Sequence, residues 1–289
     1  MELTDYLQLV ADRQARTNRY AEAVPAFYGI VTPVYRHIWT DSFHFTWFNG
    51  EESLLEAQLH QQQRLADDSG FRPGMRVLDV GCGIGGPTKA VAVMTGAHLT
   101  GLNITPAQID VAARECDSTN RHLVDFAVGD MMKIPFPAQH FDGVCTFEAI
   151  CHAPEKRGAY AEIARVLRDG GVFIGMDWFV PDGLDRERYD EVIEPMCQTV
   201  AIPDLISVAE FRRNMAAFDF TVDFVTPYDQ MGDIKPNFER FADAKQGVSS
   251  MKSGAQMEMM IDALDLIRKA IDRGDLILSY FKARKTGAA

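Results

Sequence analysis

The chain has 289 residues, 47% hydrophobic and 24% charged, an ordinary composition for a soluble globular protein that can bury a substantial core. A net charge of −12 and a pI near 5 weigh against a nucleic-acid binder, though not against one anionic ligand held by local donors. No apolar run approaches the ~20 residues of a membrane span, no export signal opens the sequence, and five scattered cysteines offer no C-x-x-C pair; the sequence predicts a cytoplasmic protein with reduced thiols and no metal site.

Residues 1–68 read as a helical cap. Leu3, Leu7 and Val10, with Tyr6 beside them, form an apolar helical face, which predicts a homo-oligomer contact through the N-terminal helix. Arg13, Arg16 and Arg19 read as a solvated basic face. An aromatic-rich segment follows, from Phe27-Tyr28 through Tyr35-Arg36-His37-Ile38-Trp39 to Phe43-His44-Phe45-Thr46-Trp47-Phe48. It suits either packing of the cap or an aromatic-lined pocket. Glu51–Leu65 is a further helix.

Residues 69–180 alternate short apolar strands with helices, which predicts an α/β fold: a Rossmann-like, mostly parallel seven-stranded sheet with helices on both faces. Val77–Val80 is a buried strand, Gly81–Gly86 a glycine loop, and Pro87 the start of a helix. The next strands are His98–Asn103, Val124–Val128, Phe141–Phe147 and Val172–Trp178. Thr105 with Gln108 has the spacing of a capping box. Residues 181–289 complete the sheet with Thr221–Thr226 and Leu276–Ala283, and carry helical insertions at 181–205 and 235–273 expected to cap a substrate. The second insertion holds Met251, Met257, Met259 and Met260, read as core filler or an adaptable pocket.

Gly81, Gly83 and Gly86 fit G-x-G-x-x-G, so a dinucleotide is one candidate ligand. Three features favour S-adenosylmethionine. Asp79, two residues before the first glycine, opens a D-x-G-x-G-x-G run through Gly85, Asn103 ends the second strand where ribose hydroxyls would lie, and Asp130 follows the third where an adenine amino group could donate. Gln108, Met131 and Phe147 join them as candidate cofactor contacts.

Val77–Pro87, Gly101-Leu102-Asn103 and Ile134–Pro137 with Phe141-Asp142 together resemble the class I S-adenosylmethionine-dependent methyltransferases. Phe147-Glu148-Ala149-Ile150-Cys151-His152-Ala153-Pro154, and Ser42-Phe43-His44-Phe45 after Trp39, resemble sterol 24-C-methyltransferases and related C-methyltransferases of prenyl groups. The resemblance covers roughly residues 27–180 and lacks the long C-terminal region of the eukaryotic sterol enzymes, which suggests a smaller prenylated or terpenoid substrate, as in bacterial pathways to teleocidin-type indole alkaloids. It implies methyl transfer to an alkene through a carbocation, Glu148 as the base with His152 as the alternative, and a pocket drawn from Tyr28, Tyr35, Trp39, Phe43, His44, Phe45 and Trp178. O- or N-methylation of a small phenol or amine, or a fold that only binds or cyclises its ligand, are the competing readings. A diphosphate substrate would look for charge to Arg36-His37 or Lys156-Arg157.

Overall fold

A computed structural model describes residues 1–239 and 254–287; Met251 and part of the 235–273 insertion lie outside them. Seven strands form one sheet: β1 (Arg76–Val80), β2 (His98–Asn103), β3 (Val124–Val128), β4 (Phe141–Phe147), β5 (Leu167–Phe179), β6 (Phe220–Pro227) and β7 (Ile277–Lys285). Their order is β3-β2-β1-β4-β5-β7-β6, with β7 antiparallel to both neighbours and the other pairs parallel. The apolar residues of β1 are buried on both faces, as a parallel strand under helices requires. Strand progression reverses between β1 and β4, so a crevice opens beyond their carboxyl ends.

The N-terminal cap comprises α1 (Leu3–Ala11), α2 (Arg13–Asn18), α3 (Tyr20–Ile38) and α4 (Leu54–Ser69). A capping box between Ser53 and Glu56 starts α4, and left-handed Gly70 ends it. The buried face of α1 is Tyr6, Leu9 and Val10, while Leu7 points outward, one helical position from where its spacing placed it. That face is covered from within the same molecule: the Tyr6 hydroxyl donates to the Thr199 carbonyl, and α1 packs on the helix Glu194–Thr199.

The basic face is solvated only in part: Arg19 is exposed and pairs with Glu22. Arg16 is fully buried; its guanidinium donates to the carbonyls of Ile202 and Val10 and pairs with Glu194, and Arg13 joins it on Glu194. A buried charge needs such complete pairing. The helix Pro106–Arg114 also departs from expectation, because Thr105 makes no side-chain cap and Gln108 turns elsewhere. Asn103 and Thr32 hold the Gln108 side chain instead.

Candidate active site

Two cavities meet at the carboxyl ends of the central strands. The first is a cleft of about 790 Å³ bordered by Asp79, Gly81, Gly83, Asn103, Gln108, Asp130, Met131 and Phe147. Gly83 is left-handed, and a Cβ there would meet nothing within 4 Å, so the backbone leaves open space at that point. Gly85 does not border the cleft; a Cβ on it would stand 2.7 Å from the Phe126 ring, so its glycine serves strand packing. The helix Gly86–Thr95 begins beside the Asp41 carbonyl and Ser42, and Pro87 in its first turn borders the cleft.

Asp79 is buried, accepts from Thr88 through one carboxylate oxygen, and has no partner for the other. Burial raises its pKa to about 7 against the opposing Thr88 hydrogen bond. Asn103 donates its amide to Gln108 Oε1 at 2.7 Å, and Gln108 donates to Thr32 on α3 at 3.1 Å, so the cleft wall is braced to the N-terminal cap. Asp130 accepts from the Met132 amide at 2.8 Å. Beside it stands Tyr20, whose buried hydroxyl faces the Asp130 carboxylate; the residue borders the same cleft. Sequence reasoning missed Tyr20, since a lone tyrosine at a helix start carries no signal of its own.

The second cavity, about 480 Å³, is bordered by Tyr28, Tyr35, Trp39, Phe43, His44, Phe45 and Trp178, the aromatic set expected from the sequence. Tyr35 stacks on Phe43 with centroids 5.0 Å apart, and Phe45 lies edge-on to Trp39 and tilted against Trp178. Val200 and Ile202, then Leu264 and Ile267 of the helix Gly254–Asp272, close its far side. The loop 40–46 that carries three of these rings is held by glutamines on one face of α4. Gln58 donates to the carbonyls of Ser42 and His44, and Gln62 donates to Ser42 Oγ and His44 Nε2. His44 donates from Nδ1 to the Phe45 carbonyl, and burial lowers its pKa to about 4, so the ring is neutral. Buried glutamines at i, i+3 and i+4 (Gln58, Gln61, Gln62) were a signal that the sequence displayed and an apolar-pattern reading passed over.

Five residues border both cavities: Tyr28, Phe43, His44, Glu148 and His152. Glu148 follows β4 with φ 54, a left-handed conformation rare for a residue with a Cβ, held by its amide donating to the Met176 carbonyl. The cost, of order 1 kcal/mol, is the kind stored at functional sites. Its carboxylate accepts from the Phe45 amide, the Trp178 indole and the Tyr228 hydroxyl, at 3.2, 2.9 and 2.9 Å. Burial raises its pKa to about 8, and these three donors only partly offset that. Tyr228, from the turn after β6, lies 80 residues from Glu148 in sequence and was not foreseen. His152 has Nε2 occupied by the Tyr28 hydroxyl at 3.0 Å.

The proposed basic clusters are used elsewhere. Lys156 is buried and donates to the carbonyls of Cys151, Ala153 and Asp204, Arg157 lies over the Phe218 ring, and Arg36 pairs with Asp41 and Glu115 at the surface. Among the described residues no His, Cys, Asp or Glu cluster could hold a metal ion, and no helix is long and apolar enough to cross a membrane.

Residues 78–175 match the family model for a methyltransferase domain. A sterol 24-C-methyltransferase of Gibberella zeae is 40% identical over 185 residues, 64% of this chain and 49% of that protein. The chain spans about half the length of the first curated relatives it matches. Among solved structures, the [4+2]-cyclase SpnF superposes with a TM-score of 0.77 at 23% identity, covering 93% of this chain and 97% of that one. Geranyl diphosphate C-methyltransferase from Streptomyces coelicolor, bound to Mg2+, geranyl diphosphate and S-adenosyl-L-homocysteine, superposes at 0.69 with 16% identity, covering 92% and 98%. These likenesses to solved structures establish the fold. S-adenosylmethionine is the cofactor of the family, and the cleft fits it: the unpartnered Asp79 oxygen suits an ammonium donor, and the space off Gly83 admits a ligand close to backbone. By sheet order, glycine loop and matched family model together, residues 78–175 carry a class I S-adenosylmethionine-dependent methyltransferase domain, similar to that of the sterol 24-C-methyltransferases.

Proposed function

We propose that this protein methylates a carbon–carbon double bond of an apolar isoprenoid substrate, with Glu148 taking the proton that ends the reaction. The observation that carries this reading is the shared wall, where a buried carboxylate and aromatic rings separate a cofactor cleft from an aromatic cavity. S-adenosylmethionine, when bound, supplies an electrophilic methyl group. Asp79 would accept from its amino group, Asn103 would meet the ribose hydroxyls, and Asp130 with Met131 would flank the adenine.

An alkene is a weak nucleophile, so the protein's contribution is alignment and exclusion of water. Tyr35, Trp39, Phe43, Phe45 and Trp178 shape a cavity that holds the double bond dry. Methylation leaves a carbocation, which water would capture. Aromatic faces stabilise such a charge without bonding to it, by about 0.5–2 kcal/mol each. Glu148 rests mainly protonated near neutral pH, but a cation beside it draws its pKa down, and its three fixed donors already favour the charged form. Among the described residues no lysine or arginine borders either cavity, so the lining suits an uncharged terpenoid or prenylated substrate better than a diphosphate.

The test is methyl transfer from labelled S-adenosylmethionine to a panel of prenylated alkenes, phenols and amines. Label in alkene carbon is expected. Label found only on oxygen or nitrogen would overturn the reading.

A further inference from the structure

The hydroxyl of Tyr28 stands where the two cavities meet, and its orientation is set from behind. It lies 3.0 Å from His152 Nε2. His152 Nδ1 lies 3.3 Å from the carbonyl of Ala201, which only accepts, so Nδ1 carries the ring proton and Nε2 keeps a lone pair. Burial holds the ring neutral by lowering its pKa to about 4. Tyr28 therefore donates its proton to His152 and turns oxygen lone pairs away from the ring. Because it borders both cavities, those lone pairs are available to a substrate. Glu148 accepts from a separate set of donors, Phe45, Trp178 and Tyr228. The site thus holds two proton acceptors.

We propose that Tyr28 and His152 form a second proton exit from the aromatic cavity, an inference that rests on the C-methylation reading. A C–H bond adjacent to the carbocation breaks, and its electron pair becomes the π bond of the product alkene. The proton goes to Tyr28 Oη while the hydroxyl proton passes to His152 Nε2. One positive charge moves from carbon to imidazole and none is created. The Nδ1–H bond to Ala201 strengthens as the ring becomes cationic. Tyr28 is the residue that touches substrate, and His152 acts through it. With two exits, the position of the substrate against Glu148 or Tyr28 decides which neighbouring C–H loses its proton, and hence which alkene isomer is released.

The test uses two probes of the cation, N,N-dimethyldodecylamine, whose protonated form carries one N–H, and dodecyltrimethylammonium, which carries none. Their affinities are measured by titration calorimetry on the S-adenosyl-L-homocysteine-loaded protein. Glu148→Gln removes the first acceptor, so any remaining preference for the N–H probe reports the second. A preference of about tenfold, taken as the ratio of the two probes' affinities within each variant, is expected in Glu148→Gln and lost when Tyr28→Phe or His152→Leu is added. No preference in Glu148→Gln alone overturns the second exit and leaves Glu148 as the sole acceptor. A preference that survives His152→Leu overturns the relay, since Tyr28 would then act alone. Failure of both probes to bind the unmodified protein removes the C-methylation reading itself.

Discussion

Glu148→Gln tests the electrostatics of the site without requiring the substrate. The carboxyl of Glu148 has its pKa raised from 4.5 to about 8 by burial. Between those values the folded protein keeps a proton that the unfolded state has released, so stability falls as pH rises through this window and levels off above it. At about 1.4 kcal/mol per pH unit, the window corresponds to an upper limit on the order of 5 kcal/mol. Glutamine is neutral throughout. Its carbonyl can take the donors from Phe45 and Trp178, and its amide can face the Tyr228 hydroxyl, which rotates to accept. Asp79 and Asp177, raised to about 7 and about 6, also make stability fall with pH, but they do so in both proteins and cancel in the difference. Urea unfolding of both proteins at pH 5, 7 and 8.5 should show the wild type losing about 2–4 kcal/mol relative to the variant. Two curves that stay parallel within about 0.5 kcal/mol would refute the argument that this carboxyl carries a large burial penalty.

Other consequences follow from the same contacts. Because proton removal needs the carboxylate form, kcat/KM should rise with pH toward a midpoint near 8, and Tyr228→Phe, by deleting a donor to that carboxylate, should move the midpoint upward; an unmoved midpoint excludes Tyr228 from tuning Glu148. Gly83→Val places a branched side chain at φ 56 in open cleft space, so calorimetry should show S-adenosylmethionine affinity reduced more than about tenfold, with a stability loss of about 1–2 kcal/mol. Unchanged affinity would mean that the cofactor does not pass that loop. Gln58→Leu removes the amide donor from the carbonyls of Ser42 and His44, leaving them only Thr40 Oγ1 and Trp39 Nε1, and takes the acceptor from the Thr40 hydroxyl, which should lower stability by about 1–2 kcal/mol and raise KM as the aromatic loop loosens. A variant with wild-type Tm and KM would show that α4 does not hold the loop.

The strands and the glycine loop were legible because a parallel strand buried on both faces writes itself as a short apolar run, and a left-handed turn writes itself as glycine. The aromatic segment was legible as a composition, and its rings at Tyr35, Trp39, Phe43 and Phe45 fall at one cavity. Periodicity misled where an alternative partner won. Leu7 had the right spacing but faces solvent, and Arg16 looked like a surface cation but is satisfied by two carbonyls and Glu194, two of these three partners lying far along the sequence. Gln108 had capping-box spacing, yet Asn103 and Thr32 claimed its amide.

Local sequence by itself determined the sheet's buried strands, the loop that admits a cofactor and the presence of a glutamate after β4. Only the tertiary structure decided how acidic that glutamate is and what faces it. Trp178 and Tyr228 come from other strands' ends, Phe45 from the cap, and His152 is tied to Tyr28 across 124 residues. The reason is physical: a pKa is set by burial and by donors brought within hydrogen-bond reach, and those are properties of packing that no local pattern of residues contains.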